Sequence, residues 1–304
     1  MKLPENKRQH YVPRFYLKNF CNSNKKIFCF DKLKGVPFAT TIDNIAVGKF
    51  FYAVDNMYKI EIEKGLSHVE HDFFVGPYYE LINKKNFKKL SHGMKENLFI
   101  FLSVQLVRTE EYRLELKDLH EQVLASMTKD FSNERVSERL KIKISKVYSQ
   151  LEHISHLDTD TFFLYARFLF NKEWVLLLNK TESPLWTSDN PLSFYNSFGS
   201  AGYNFGILSP GVEIRFPLNR ELLLLSYDPK THPPMTNKTR MLESDVALAN
   251  ETQIRNSTRV ICSPTSDFRY AVEYLKRNPK YKNPDRKRWD VISYPDRIEF
   301  GRID

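Results

Sequence analysis

Hydrophobic positions along the chain change their period twice. Residues 8–20 are dense in aromatics, and Pro13 disfavours helix at Val12, so the segment reads as an extended entry into a short helix. Ile27 and Cys29 alternate with their neighbours, Lys34 and Gly35 mark a turn, and Val36 to Ile42 completes a predicted hairpin. From about Met57 the period becomes helical, with Ile62, Leu66, Val69 and Phe73 one turn apart until Gly76 and Pro77 interrupt the pattern. Leu98, Leu102 and Leu106, then Leu116, Leu119, Val123 and Met127, continue it with a break near Thr109. Val136 to Leu151 predicts a further amphipathic helix, and Thr161 to Phe170 another.

Strands return in the second half. Trp174 to Leu178 is continuously apolar, as a central strand should be. Leu185 to Thr187 and Leu192 to Tyr195 flank a Ser-Asp-Asn-Pro turn, and Val212 to Phe216 and Glu221 to Tyr227 follow a glycine-containing loop. A helix over Leu242 to Asn256 and a strand at Thr258 to Cys262 close the pattern. Strands, then helices, then strands and a helix predict an α+β fold, with a mixed or antiparallel sheet built from both ends of the chain and a helical middle packed on it. The expected organisation is a single domain over 1–275, with a helical insertion at about 57–170 and a basic tail over 276–304.

Polar side chains at positions that packing alone would make apolar mark where a site should lie, because each costs free energy unless partnered. Glu63 and Glu70 each follow an apolar stripe residue and lie seven residues apart, about 10 Å along one side of a helix. Gln105 falls in register with Leu98, Leu102 and Tyr112, and Arg108 sits one turn beyond Val104. Asn250 lies in register with Val246 and Ile254, where an amide needs several partners or a cavity. Asp189 and Asn190 occupy a turn that Pro191 stiffens. His10, beside Gln9, is the candidate for proton transfer near neutral pH. The pairs His68/His71 and His153/His156 match no zinc signature and read as solvated faces.

Composition narrows the classes. The 304 residues are 41% hydrophobic, enough for a packed interior, and no apolar run approaches the ~20 residues of a membrane helix. A charged start without an apolar stretch after it sets a cytoplasmic expectation. Three cysteines without CxxC spacing argue against a disulfide framework and a cysteine zinc site. The net charge of +9 is concentrated: Lys276, Arg277, Lys280, Lys282, Arg286, Lys287 and Arg288 face the single acid Asp285 in that stretch, and with Tyr281 and Trp289 they could meet RNA or DNA. No Walker loop, GxGxxG, GxSxG or HNH-like arrangement is present, and Glu115-Leu116-Lys117 spells a nuclease element but falls in a helix.

Gln9-His10-Tyr11-Val12-Pro13-Arg14-Phe15-Tyr16-Leu17 and Thr187-Ser188-Asp189-Asn190-Pro191, with Glu63, Glu70, Gln105, Arg108-Thr109, Trp174, Trp186, Pro217-Leu218, Asn250 and Arg259, resemble the domain-of-unknown-function 4238 family over residues 8 to about 264. The resemblance implies that His10, Glu63, Glu70, Arg108, Asp189, Asn190 and Asn250 are its recurrent polar positions, and it carries no activity with it. Asn219 departs from the usual Ser after Pro-Leu, and the tail lies outside the resemblance.

Three readings follow. In the first, the chain is a nucleic-acid-directed hydrolase, a ribonuclease-like toxin or defence effector, with His10 as acid or base, Arg108 on phosphate charge, and Glu63, Glu70 and Asp189 orienting groups or holding a divalent cation. In the second, the same hollow binds a ligand or nucleic acid without turnover, read by Gln105, Asn190 and Asn250. In the third, the polar set is structural. All functional readings require these side chains to meet around one pocket.

Overall fold

The computed structural model describes residues 8–52, 62–128, 148–198, 207–229, 235–236, 239–294 and 298–302. The opening segment is extended at β1 (Arg8–His10) and turns at Pro13 into α1 (Arg14–Leu17). The hairpin β2 (Ile27–Asp31) and β3 (Val36–Thr40) follows. Its turn closes where Asp31 Oδ1 accepts the Leu33 and Lys34 N–H groups at 3.1 Å and Gly35 adopts φ +70°, a left-handed value glycine takes without strain. β4 (Val47–Lys49) returns to pair with β1.

The helical middle comprises α2 (Ile62–Val69), α3 (Val75–Lys84), α4 (His92–Val107), α5 (Glu110–Thr128), a helical stretch α6 over 148–155, and α7 (Thr159–Phe170). Ser91 and Asp158 cap α4 and α7 by accepting the Met94 and Thr161 N–H groups. The Gly76-Pro77 break is corrected: α2 runs on into α3 through a π-helical turn, Glu70–Phe74. Pro77 has no N–H to give the preceding turn, and a locally widened helix absorbs the mismatch. Most of the helix expected over Val136 to Leu151 lies outside the described residues. Among the described residues no helix is long and apolar enough to cross a membrane.

β5 (Glu173–Asn179), β6 (Thr187–Ser188), β7 (Ser193–Asn196), β8 (Val212–Asn219), β9 (Leu222–Tyr227), β10 (Arg240–Met241), α8 (Glu243–Asn256), β11 (Val260–Ser263) and α9 (Arg269–Arg277) build the second half. The fold is α+β, with two principal sheets. The five-stranded sheet, ordered β10-β5-β9-β8-β7, is antiparallel except for β10, and all of its strands come from the second half. The four-stranded sheet, β3-β2-β11-β6, joins the first hairpin to the last core strand, so it is the one to which both chain ends contribute.

Both faces of the five-stranded sheet are covered, which explains the unbroken apolar run in β5. Trp174, Leu176, Phe216 and Leu224 pack into the large core that includes Tyr16, Tyr78 and Phe101. Val175, Leu177, Leu223 and Leu225 pack on the other face with Val246 and Ala249 of α8. Beyond 275 the chain folds back: β12 (Trp289–Ser293) and β13 (Ile298–Arg302) form a hairpin against α5.

Candidate functional site

Period-two alternation in β1 sends Gln9 inward and Arg8 and His10 to the other side. Gln9 is buried and its Oε1 accepts the Tyr52 N–H at 2.8 Å, which pins the strand. Arg108, the residue that ends α4, reaches under it from the core. It is only 2% exposed, donates to the His10 carbonyl at 2.8 Å and to the Tyr52 hydroxyl at 3.3 Å, and forms an ion pair with Glu70 of the π-helical turn. Burial opposes the charge on Arg108, but Tyr52 and Glu70 outweigh it and hold its pKa above the ordinary guanidinium value.

These groups line an open pocket of about 460 Å³. Ser67, Glu70, His71 and Val75 form one wall, and Arg8, Pro13, Arg14 and Phe15 another. Asp43 completes the rim: it pairs with Arg14, and its carbonyl accepts from Arg8 at 2.8 Å. The His10 imidazole is half-buried, and its Nε2 is buried without a hydrogen-bond partner. Burial lowers its pKa, against the Ile42 carbonyl and Asp43 and with the help of Arg14 and Arg108, so the ring is neutral at pH 7.

The pocket thus gathers His10, Glu70 and Arg108, with Gln9 bracing the strand. Gln105, fully buried, donates to the Tyr11 carbonyl at 3.2 Å and leaves its Oε1 unpartnered, beneath the same segment but off the pocket lining. Glu63 lies on α2, and its side chain falls outside the described residues.

The other predicted residues are elsewhere, which corrects the expectation of one common hollow. Asp189 is buried in a turn where its carboxylate accepts the N–H groups of Thr258, Arg259 and Val260 at 2.8–2.9 Å. Asn190 Nδ2 donates to the Asn256 carbonyl at 2.9 Å. Asn250 accepts the Trp186 N–H at 2.8 Å and donates to the Pro184 carbonyl at 3.0 Å. Arg259 clasps Asp31 at 2.6 Å. Together they sew α8 and the 184–194 segment to the start of β11. Among the described residues no group of three or more His, Cys, Asp or Glu is placed to hold a metal ion, and the carboxylates Glu70 and Asp43 are each held by an arginine, so the described set does not fit a divalent cation.

The basic stretch is not one solvated strip. Arg288 donates from Nε and Nη2 to the Glu111 carboxylate at 2.9 Å, and Arg286 pairs with the same buried group. Burial alone would raise the Glu111 pKa, but Arg288 and Arg286 reverse that and bring it down to about 2. Lys287 pairs with Asp290 at 2.8 Å. Lys276, Arg277 and Lys280 are exposed and Lys282 half-buried.

Sequence reasoning missed Arg8, Arg14, Asp43 and His71. The alternation that turns His10 to the side opposite Gln9 also turns Arg8 there, and Arg14 directly follows Pro13; nothing in the sequence singles out Asp43. His71 is exposed, as expected of a solvated face, yet it stands on the pocket rim. The solvated reading of His153 is overturned: it is fully buried, with Nε2 at 2.8 Å from the Val107 carbonyl, while His156 meets the Tyr112 hydroxyl at 2.6 Å.

The two motifs that drew attention in the sequence touch. The Tyr16 hydroxyl lies 2.7 Å from Thr187 Oγ1 and donates to the Pro217 carbonyl at 2.8 Å, at the irregularity in β8, and the Tyr78 hydroxyl bonds the Leu218 carbonyl. The family model described as a protein of unknown function, DUF4238, matches residues 8–267. The chain belongs to the DUF4238 family. No curated protein and no solved structure matches it. The DUF4238 span holds the pocket and the residues that sew α8 in place, while Arg286, Arg288 and the hairpin β12–β13 lie beyond it.

Proposed function

We propose that the pocket is a phosphodiester-cleaving site that acts on RNA, with the RNA supplying its own nucleophile. The observation that carries this reading is the buried, unpartnered His10 Nε2 beside an open, arginine-lined pocket. An unsatisfied polar atom is costly to keep unless a guest completes it, and the three arginines in the pocket lining suit a phosphate.

In the proposed reaction, neutral His10 accepts the proton of a ribose 2′-hydroxyl. The 2′-oxygen attacks phosphorus as the bond to the 5′-oxygen breaks, and His71, at the rim, donates a proton to that leaving oxygen. The products are a 2′,3′-cyclic phosphate and a 5′-hydroxyl. Arg108, fixed by Glu70 and Tyr52, stabilises the charge that develops on the phosphoryl oxygens. Arg8 and Arg14 at the rim meet neighbouring phosphates, and the exposed Lys276 and Arg277 add sequence-independent attraction at a distance. This site needs none of the residues around Asp189.

The test is incubation of the purified chain with an RNA oligonucleotide and its all-deoxy counterpart. Cleavage of RNA alone, ending in cyclic phosphate, is expected, and His10→Ala and His71→Ala should each reduce it about 100-fold or more. Salt-dependent binding without cleavage would replace this reading by the non-catalytic one, and unchanged cleavage by His10→Ala would remove the mechanism.

A further inference from the structure

Two of the three cysteines face each other from opposite ends of the sequence. Cys29 on β2 and Cys262 on β11 are direct partners across the antiparallel ladder, and their sulfurs are 3.0 Å apart. Both are buried, and both are free thiols. Opposed residues on antiparallel strands have Cα atoms about 4.5 or 5.5 Å apart, inside the roughly 4.4–6.8 Å that a disulfide spans. A covalent link therefore requires the sulfurs to close by about 1 Å, without rebuilding the backbone.

We propose that Cys29 and Cys262 are a modification site: they form a reversible cross-strand disulfide when the protein meets hydrogen peroxide. One thiol loses its proton and its sulfur attacks a peroxide oxygen. The O–O bond breaks, leaving a sulfenic acid and one water. The second sulfur then attacks the sulfenic sulfur, forming the S–S bond, and the departing hydroxide takes the second thiol's proton as another water. Two thiols are oxidised by two electrons in all, and the peroxide is reduced to two waters.

The surroundings select the oxidant. Both thiols lie in the main core cluster, which admits a small uncharged peroxide more readily than a bulky charged disulfide. Burial holds the Cys262 thiol well above its usual pKa, so its thiolate is scarce and the reaction is slow. Cys21, half-buried against the same cluster, is near enough to Cys29 and Cys262 to act on both electrostatically, but its thiol is engaged by the Leu17 carbonyl at 3.8 Å and it is not a partner on the ladder. The link would close a loop between positions 233 residues apart, joining the first hairpin to the last core strand and constraining the unfolded chain.

The folded full-length chain, treated with hydrogen peroxide, then denatured and alkylated without reductant, should yield a peptide joining Cys29 to Cys262, with Cys21 alkylated. Dithiothreitol should reverse the link, the oxidised protein should melt at a higher temperature than the reduced one, and Cys21→Ser should give the same product. Full alkylation of Cys29 and Cys262 after treatment, sulfinic acid at either, or a link through Cys21 would each overturn the proposal.

Discussion

The pocket around His10 and the seam along α8 contain the same kinds of residue, and they differ in whether every one of those residues is complete. In the seam every singled-out group has a protein partner: Asp189 holds three backbone N–H groups, Asn250 two backbone groups, and Arg259 an aspartate. In and beneath the pocket, His10 Nε2 and Gln105 Oε1 remain unpartnered. Satisfied polar groups fix a fold, whereas an unsatisfied one beside an opening, as His10 Nε2 is, is available to something else. One short stretch joins the two regions: Arg108 turns to the pocket, and Glu111, three residues on, accepts the Thr258 hydroxyl at 2.8 Å beside Asp189. Burial of polar side chains therefore locates both regions but does not by itself say which one acts.

The sharpest way to break this contrast is to empty the seam. Asp189→Ala strands one buried and two part-buried N–H donors at about 1–2 kcal/mol each, a loss of roughly 3–6 kcal/mol, a large share of a typical whole-protein stability of about 5–15 kcal/mol. Urea denaturation should show it, and Asp189→Asn, which keeps one acceptor oxygen, should recover part of the loss. Wild-type stability for Asp189→Ala would place the carboxylate outside the fold's framework.

A second histidine separates stability from site chemistry. His153 has its pKa lowered to about 3, first by burial and then by Arg113. The unfolded chain takes up this proton near 6.5 and the folded one only near 3, so the contribution is fully present above 6.5 and is lost as pH falls through that window. At about 1.4 kcal/mol per unit the loss approaches 5 kcal/mol, and denaturation midpoints from pH 7 to 3 should trace it. His153→Gln should flatten that limb. Asn250→Ala is the milder seam variant: it leaves one N–H and one carbonyl unmet, about 3 kcal/mol, with binding at the pocket unchanged when titrated under folded conditions.

The elements were legible because their signals are local. The hairpin β2–β3, the double-faced apolar β5 and the break after α4 each follow from periodicity and turn chemistry. The bridging of Gly76-Pro77 was not, since it depends on a widened helical turn that no residue pattern announces. At the site, Glu70 and Arg108 were visible as polar interruptions of apolar stripes. Asn250 gave the same signal for the opposite reason, because a buried amide looks alike in sequence whether its partners are backbone or guest, and Asp189 was marked by its stiff turn alone. Arg286 and Arg288 misled in turn: a charge run reads as a nucleic-acid contact until a buried carboxylate such as Glu111, 175 and 177 residues away, is known to meet it. Partnering is a tertiary property, and it was the one that decided each assignment.

The smallest expected change in stability belongs to His10, and it is the most telling. Its carbonyl is held by Arg108 and Tyr52 through the backbone, and substitution leaves those bonds in place. Its ring bonds the Ile42 carbonyl through one nitrogen, while the buried Nε2 has no bond to lose. His10→Ala should therefore shift the unfolding free energy by only about 1 kcal/mol, the net worth of one hydrogen bond, while abolishing whatever the pocket does. A loss comparable to that of Asn250→Ala would mean that the imidazole is braced by the fold like the seam residues, and the distinction between a complete region and an open one would no longer hold.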